Sequence, residues 1–227
     1  MKTKLIVALD VDSFSKAKAI VNRLGPCVRA YKVGSQLFIA SGIEIVLWLK
    51  RKHKNVFLDL KLHDIPNTVA ASARQITKLG VYMFTIHATG GKVMMRGCVK
   101  AVRSEASRLK IKKPAVLAVT VLTSQKSTNT KRDVLRLAKE ALSCGVDGIV
   151  CSVEEAHLLH RKLKHKFILV CPGIRSATNK KSDQKRIATP QQAKKAQVDF
   201  IVVGRPIIEA PSASLAAVNI LNALKER

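Results

Sequence analysis

The sequence predicts a (β/α)8 TIM barrel, an α/β fold in a single domain spanning residues 1–227, and three observations carry that prediction. Short apolar runs alternate eight times with stretches of helical periodicity. The runs are near-continuously apolar, as expected of parallel strands covered on both faces. The polar residues that interrupt them gather at the C-terminal strand ends, where barrels of this kind build their sites.

Taken in order, Lys4–Asp10 reads as the first strand, and Ser13 can cap a helix over 14–24 that stops at Gly25-Pro26. Val28–Val33 is the second strand, followed by a helix near 43–52. The third strand covers 55–61. Pro66 suits the first position of the next helix, which runs to about 79 and ends at Gly80. Val81–His87 is the fourth strand, followed by Gly90-Gly91 and a helix to about Leu109. Pro114–Leu122 is the fifth, leading through a polar loop, Thr123–Thr130, to a helix over 131–143. Gly148–Cys151 and a helix over 153–163 form the sixth unit. Phe167–Cys171 is the seventh strand, followed by a long polar stretch, 173–189, and a short helix near 190–197. Phe200–Val203 is the eighth strand, and Ser212–Lys225 is an amphipathic closing helix. A doubly wound open sheet is the rival, since alternation alone does not distinguish it from a closed one. Eight units in 227 residues favour the barrel.

Composition narrows the function. At 47% hydrophobic the chain can bury one substantial core, and no apolar run reaches the ~18 residues of a membrane span. The start, Met1-Lys2-Thr3-Lys4 and a short apolar run, imitates a signal peptide until Asp10 and Asp12 interrupt it. Five scattered cysteines with no C-x-x-C read as reduced thiols in a cytoplasmic protein. A net charge of +26 would attract nucleic acid or anionic membrane as well as a phosphorylated substrate. Only 4% of residues are aromatic, and RNP-type, zinc-finger and K/R-G-rich segments are missing. The charges also sit inside helix-and-strand patterning, so nucleic acid binding is not expected as the main function.

The chemistry concentrates at residues 59–68. Asp59 and Lys61 end the third strand after Val56-Phe57-Leu58. Alternation places their side chains on one face, about 7 Å apart along the strand. Asp64 lies past the strand end. Buried charges cost several kcal/mol each unless paired, so such a cluster is either a structural ion pair or a functional site. Lys32, inside Ala30-Tyr31-Lys32-Val33, is hard to read as solvated surface. Asp10 ends the first strand, where an N-capping role is the alternative, although Asp12 or Ser13 can fill it. Gly204-Arg205 follows the last strand: glycine lets backbone N–H groups approach phosphate oxygens, and arginine supplies a charged fork. Arg175 sits in a loop that composition alone reads as basic surface.

The string Asp59-Leu60-Lys61-Leu62-His63-Asp64-Ile65-Pro66-Asn67-Thr68-Val69 resembles the active-site motif of the orotidine 5'-monophosphate decarboxylase family, in its bacterial form. The bare D-x-K-x-x-D is shared with a wider suprafamily of phosphosugar enzymes, and the extension through Ile65–Thr68 points to the decarboxylases. The resemblance covers nearly the whole chain. It implies that Asp10 binds ribose hydroxyls and that Lys32 pairs with Asp59 and touches the ribose. It gives Thr123 the hydroxyl near the pyrimidine ring, with Thr120 competing. It also makes Pro172-Gly173-Ile174-Arg175 and Asp183–Pro190 a phosphate-gripping loop in which Arg175 and Gln184 engage the phosphate. In a two-fold homodimer, Asp64 and Thr68 would reach the neighbouring subunit's site.

The implied activity is a carbon–carbon lyase converting orotidine 5'-monophosphate to UMP and CO2 without cofactor or metal, in de novo pyrimidine biosynthesis. Loss of CO2 leaves a carbanion at C6 with no imine or thiazolium to accept its electrons. A cation beside C6 must stabilise it and a proton must arrive; Lys61 can do both. Two rivals are a Mg2+-dependent sugar-phosphate decarboxylase or synthase of the same suprafamily and a basic RNA-binding protein. His63 lies at a position the family pattern does not use for chemistry, and His87 reads as a packed histidine. His157 and His160, three apart on a helix, lack a third metal ligand.

Overall fold

The computed structural model describes residues 3–121, 130–163, 166–175 and 187–225. Eight parallel strands close into a barrel in sequence order: β1 (Lys4–Ala8), β2 (Ala30–Gly34), β3 (Asn55–Leu62), β4 (Met83–His87), β5 (Ala115–Val119), β6 (Gly148–Val150), β7 (Ile168–Cys171) and β8 (Phe200–Val203). β8 pairs back onto β1 from Lys4↔Phe200 to Val7↔Val203, so the open-sheet alternative is excluded. The helices are α1 (Phe14–Leu24), α2 (Ser35–Ser41), α3 (Glu44–Arg51), α4 (Pro66–Leu79), α5 (Gly91–Arg108), α6 (Thr130–Ser143), α7 (Val153–Lys162), α8 (Pro190–Lys195), α9 (Arg205–Ile208) and α10 (Ala213–Ala223).

Local signals explain most boundaries. Ser13 accepts the Lys16 N–H at the start of α1, and Gly25, at φ +58, ends it. Pro66 opens α4 and Gly80 closes it in the left-handed conformation. Capping boxes start α7 (Ser152 with Glu155) and α8 (Thr189 with Gln192). Three features depart from the sequence reading. β1 stops at Ala8, because the Val11 N–H turns back onto the Leu9 carbonyl at 3.0 Å and leaves Asp10 in a turn. α2 was not foreseen: Gly34 and Gly42 bracket seven residues, too few to show a helical period. The one-turn α9 escapes for the same reason.

Strand alternation sorts the interior into two layers. Leu5, Val7, Val33, Leu58 and Phe84 face outward and join the helices in the main core. Ile6, Ala8, Ala30, Phe57, Met83, Leu117, Val170, Phe200 and Val202 fill the barrel itself. Continuing the inward set by two residues toward the strand C-termini gives Asp10, Lys32, Asp59, Thr85 and Gly204. The floor of the site is therefore the top of the barrel core. Among the described residues, no helix is long and apolar enough to cross a membrane.

Candidate active site

A cavity of about 430 Å³ opens at the C-terminal end of the barrel, lined on one side by Asp10, Lys32, Asp59 and Lys61. Arg175, Gly204 and Arg205 line it from β7 and β8. Closure of the barrel sets this layout, since β8 and β1 are neighbours. Around the rim the order is Arg175, Gly204-Arg205, Asp10, Lys32, and then Asp59 with Lys61.

The charged groups form a chain. Lys32 Nζ lies 2.7 Å from Asp10 Oδ1 and 3.7 Å from Asp59 Oδ2. Lys61 Nζ donates to Asp59 Oδ2 at 2.8 Å. Asp59 is nearly buried, with 11% of its side chain exposed, against 38% for Lys61 and 51% for Asp10. Burial by itself would raise the Asp59 carboxyl. The Lys32 and Lys61 ammonium groups, with hydrogen bonds from Lys61 and Thr85, outweigh that and hold it below the usual carboxylate value. Gly34 leaves room for the pair above it: a Cβ there would come within 3.0 Å of Lys32 Nζ and 3.3 Å of Asp10 Oδ1.

Lys61 does not reach Asp59 by plain strand alternation. Its backbone lies in the left-handed region at φ +51, rare for a residue with a side chain and costing roughly 1–3 kcal/mol. The β3–β4 register moves from Leu58↔Phe84 to Leu62↔Ile86, so three residues, Asp59 to Lys61, stand opposite Thr85 alone. Thr85 is fully buried and occupies that gap, accepting from Lys61 N at 2.9 Å and donating to Asp59 Oδ1 at 2.9 Å. The sequence reading missed it. Its signal was the inward register of Met83-x-Thr85-x-His87, one polar residue inside an otherwise apolar run.

The remaining candidates divide. Asp64 and Thr68 are exposed and do not line the cavity of their own chain. Asp64 accepts the adjacent Ile65 N–H at 2.6 Å, a local contact ahead of α4 rather than a cap, since Ile65 is the capping residue. Val119 and Val121 line the cavity, whereas Thr120 between them is buried on the other side and donates to the Val150 carbonyl at 3.4 Å. Thr123 and Gln184 lie outside the described residues. Arg175 is buried and Arg205 exposed. His63 and His87 stack at the rim with ring centroids 5.2 Å apart. Among the described residues no three His, Cys, Asp or Glu side chains form a group that could hold a metal ion.

Comparison with known proteins agrees with the fold. A model of the family described as Orotidine 5'-phosphate decarboxylase / HUMPS family matches residues 3–220. An "Orotidine 5'-phosphate decarboxylase" of Syntrophomonas wolfei is 45% identical over 234 residues, covering 98% of both chains. That of Moorella thermoacetica is 40% identical over 226 residues, 95% of this chain and 90% of the relative. A crystal structure of orotidine 5'-phosphate decarboxylase from Lactobacillus acidophilus superimposes with a TM-score of 0.86 at 35% identity, covering 99% of this chain and all of that one. With its site at the top of a closed barrel and these relatives along its whole length, the chain belongs to the orotidine 5'-phosphate decarboxylase / HUMPS family.

Proposed function

We propose that this chain decarboxylates orotidine 5'-monophosphate to UMP and CO2 and needs neither metal nor organic cofactor to do so. The observation that carries the reading is the contact between Lys61 Nζ and Asp59 Oδ2 at 2.8 Å at one side of a cavity whose other side holds Arg175 and Arg205. An anionic phosphate at the arginines would place the ribose near Asp10 and Lys32 and the pyrimidine near Asp59 and Lys61, following the order of strands around the rim. Gly204 and Arg205, with Arg175 and Gln184, are assigned to the phosphate, and Thr123 to the pyrimidine.

Lys61 then stabilises charge developing at C6 and delivers the proton that replaces CO2. Asp59, kept ionised, faces the departing carboxylate and disfavours it in the ground state. Lys32 balances both Asp59 and Asp10, so the site holds two carboxylates without an unpaired buried charge. Phosphate binding far from C6 supplies energy for ordering the site.

The catalytic unit in this reading is a homodimer with shared sites. Asp64 and Thr68 are exposed and outside the lining of their own cavity, close in sequence to Ile65, which is 66% exposed. They would complete the partner's site across a two-fold axis. The five cysteines are all free, which supports residence in the reducing cytoplasm.

The test follows the pyrimidine absorbance change with orotidine 5'-monophosphate, with and without EDTA. Turnover should persist in excess chelator. Activity that vanishes with EDTA and returns with Mg2+ would move the chain to the sugar-phosphate branch of its family, and no absorbance change in either condition would refute the assignment.

A further inference from the structure

We infer that Thr85 is a positioning residue for the reacting pair, its hydroxyl locking both the Asp59 carboxylate and the turned backbone of Lys61 in place. The inference rests on the reading of Asp59 and Lys61 as that pair. A backbone N–H can only donate, so Thr85 Oγ1 must accept from Lys61 N at 2.9 Å. Its single proton is then free for Asp59 Oδ1, also at 2.9 Å. An ionised carboxylate offers only acceptors, so the arrangement is satisfied with Asp59 charged.

The two carboxylate oxygens are thereby assigned separate duties. Oδ1 is taken by Thr85, and Oδ2 remains for Lys61 at 2.8 Å and Lys32 at 3.7 Å. Without the hydroxyl the carboxylate could rotate about its Cβ–Cγ bond and split its attention between the two lysines. The second duty concerns the backbone. The register shift between Leu58 and Leu62 takes Lys61 out of the regular β3–β4 ladder. Thr85 receives its N–H from the facing strand and supports a φ of +51 that the lysine would not adopt unaided. One side chain thus fixes where the ammonium starts and where its counter-ion points.

The hydroxyl lies inside the protein, not at the ligand: Thr85 is fully buried and absent from the cavity lining. Thr85 has no solvent-exposed surface, so no water is at hand to replace the hydroxyl if it is removed. Serine keeps the donor and acceptor; valine keeps the shape and removes both.

Thr85→Val should lower kcat by about 10- to 100-fold, the scale of a small misplacement of reacting groups, while KM and UMP binding change by less than about threefold. Thr85→Ser should recover most of that loss. The Asp59 carboxyl should also titrate at higher pH in Thr85→Val than in wild type, followed by carbon-13 NMR with Asp59→Asn assigning the resonance. The groups that face it, Lys32 from β2, Lys61 from β3 and His87 from β4, are the same in both proteins. This titration needs no turnover, so it judges Thr85 even if wild type fails to decarboxylate orotidine 5'-monophosphate, a result that would instead refute the proposed function. If Thr85→Val does not fold, Thr85→Ala and Thr85→Ser take the same measurements, with Ala expected to match the predictions for Val. Wild-type kcat together with an unmoved Asp59 titration in a folded Val or Ala variant overturns the inference. Equal losses in Ser and Val overturn it as well, because they would trace the effect to packing.

Discussion

Lys61 Nζ lies 2.8 Å from Asp59 Oδ2, and the contact depends on a left-handed backbone at Lys61 rather than on the two-residue repeat of a strand. A regular β3 would keep the two residues about 7 Å apart along the strand and leave their side chains parallel. The bulge opposite Thr85 turns the lysine back over the cavity mouth, with 38% of its side chain exposed while Asp59 stays sealed below it. The ammonium is thus both paired and reachable.

Lys61→Ala should abolish decarboxylation almost completely and still bind UMP, because the lysine acts on the carbanion and the phosphate is held elsewhere. Single-turnover kinetics and UMP titration separate the two effects. Retention of a tenth of wild-type kcat would remove Lys61 from the central role.

Arg205→Ala should weaken binding of substrate and of UMP together. Charge-assisted contacts to phosphate are worth roughly 1.5–3 kcal/mol each, so kcat/KM should fall by about one to two powers of ten. An unchanged KM would place the phosphate away from β8.

Stability should fall with acid in a manner traceable to His87. Burial lowers its basicity, His63 and Lys61 add to that, and Asp59 opposes them. The unfolded chain binds this proton near pH 6.5, above the pH at which the folded chain does. The contribution is therefore complete above about pH 6.5 and is lost as pH falls from there through the folded value. Urea unfolding at pH 7.5 and 5.0 should show a smaller pH difference in His87→Asn than in wild type; identical differences would mean the half-buried ring carries no such linkage.

Mixing Lys61→Ala and Asp64→Ala proteins under conditions that exchange subunits tests the shared site. Each mixed dimer would hold one doubly defective site and one with both residues intact. Random pairing makes half the dimers mixed, so about a quarter of all sites should recover. If Asp64 serves its own chain, every site keeps one defect and the mixture stays inactive.

Much of this molecule is local and therefore legible in the sequence. Alternation along Lys4–Ala8 and the other apolar runs sets which residues face the barrel interior, and that depends only on a two-residue period. Ser13, Pro66, Gly80 and Ser152 mark helix ends through bonds to residues a few positions away. The sequence alone thus places Asp10, Lys32, Asp59, Lys61, Arg175 and Arg205 at one end of the fold. Tertiary structure decided the rest, because it depends on contacts between residues far apart in the chain. Closure of β8 on β1 brings the β7 and β8 arginines beside Asp10. The pairing of β3 with β4 decides that Asp59, Leu60 and Lys61 share a single partner, and that Thr85, 24 and 26 residues from the groups it holds, is the one to bind them. No period in the sequence encodes a register shift; it arises where two strands must each satisfy a different neighbour.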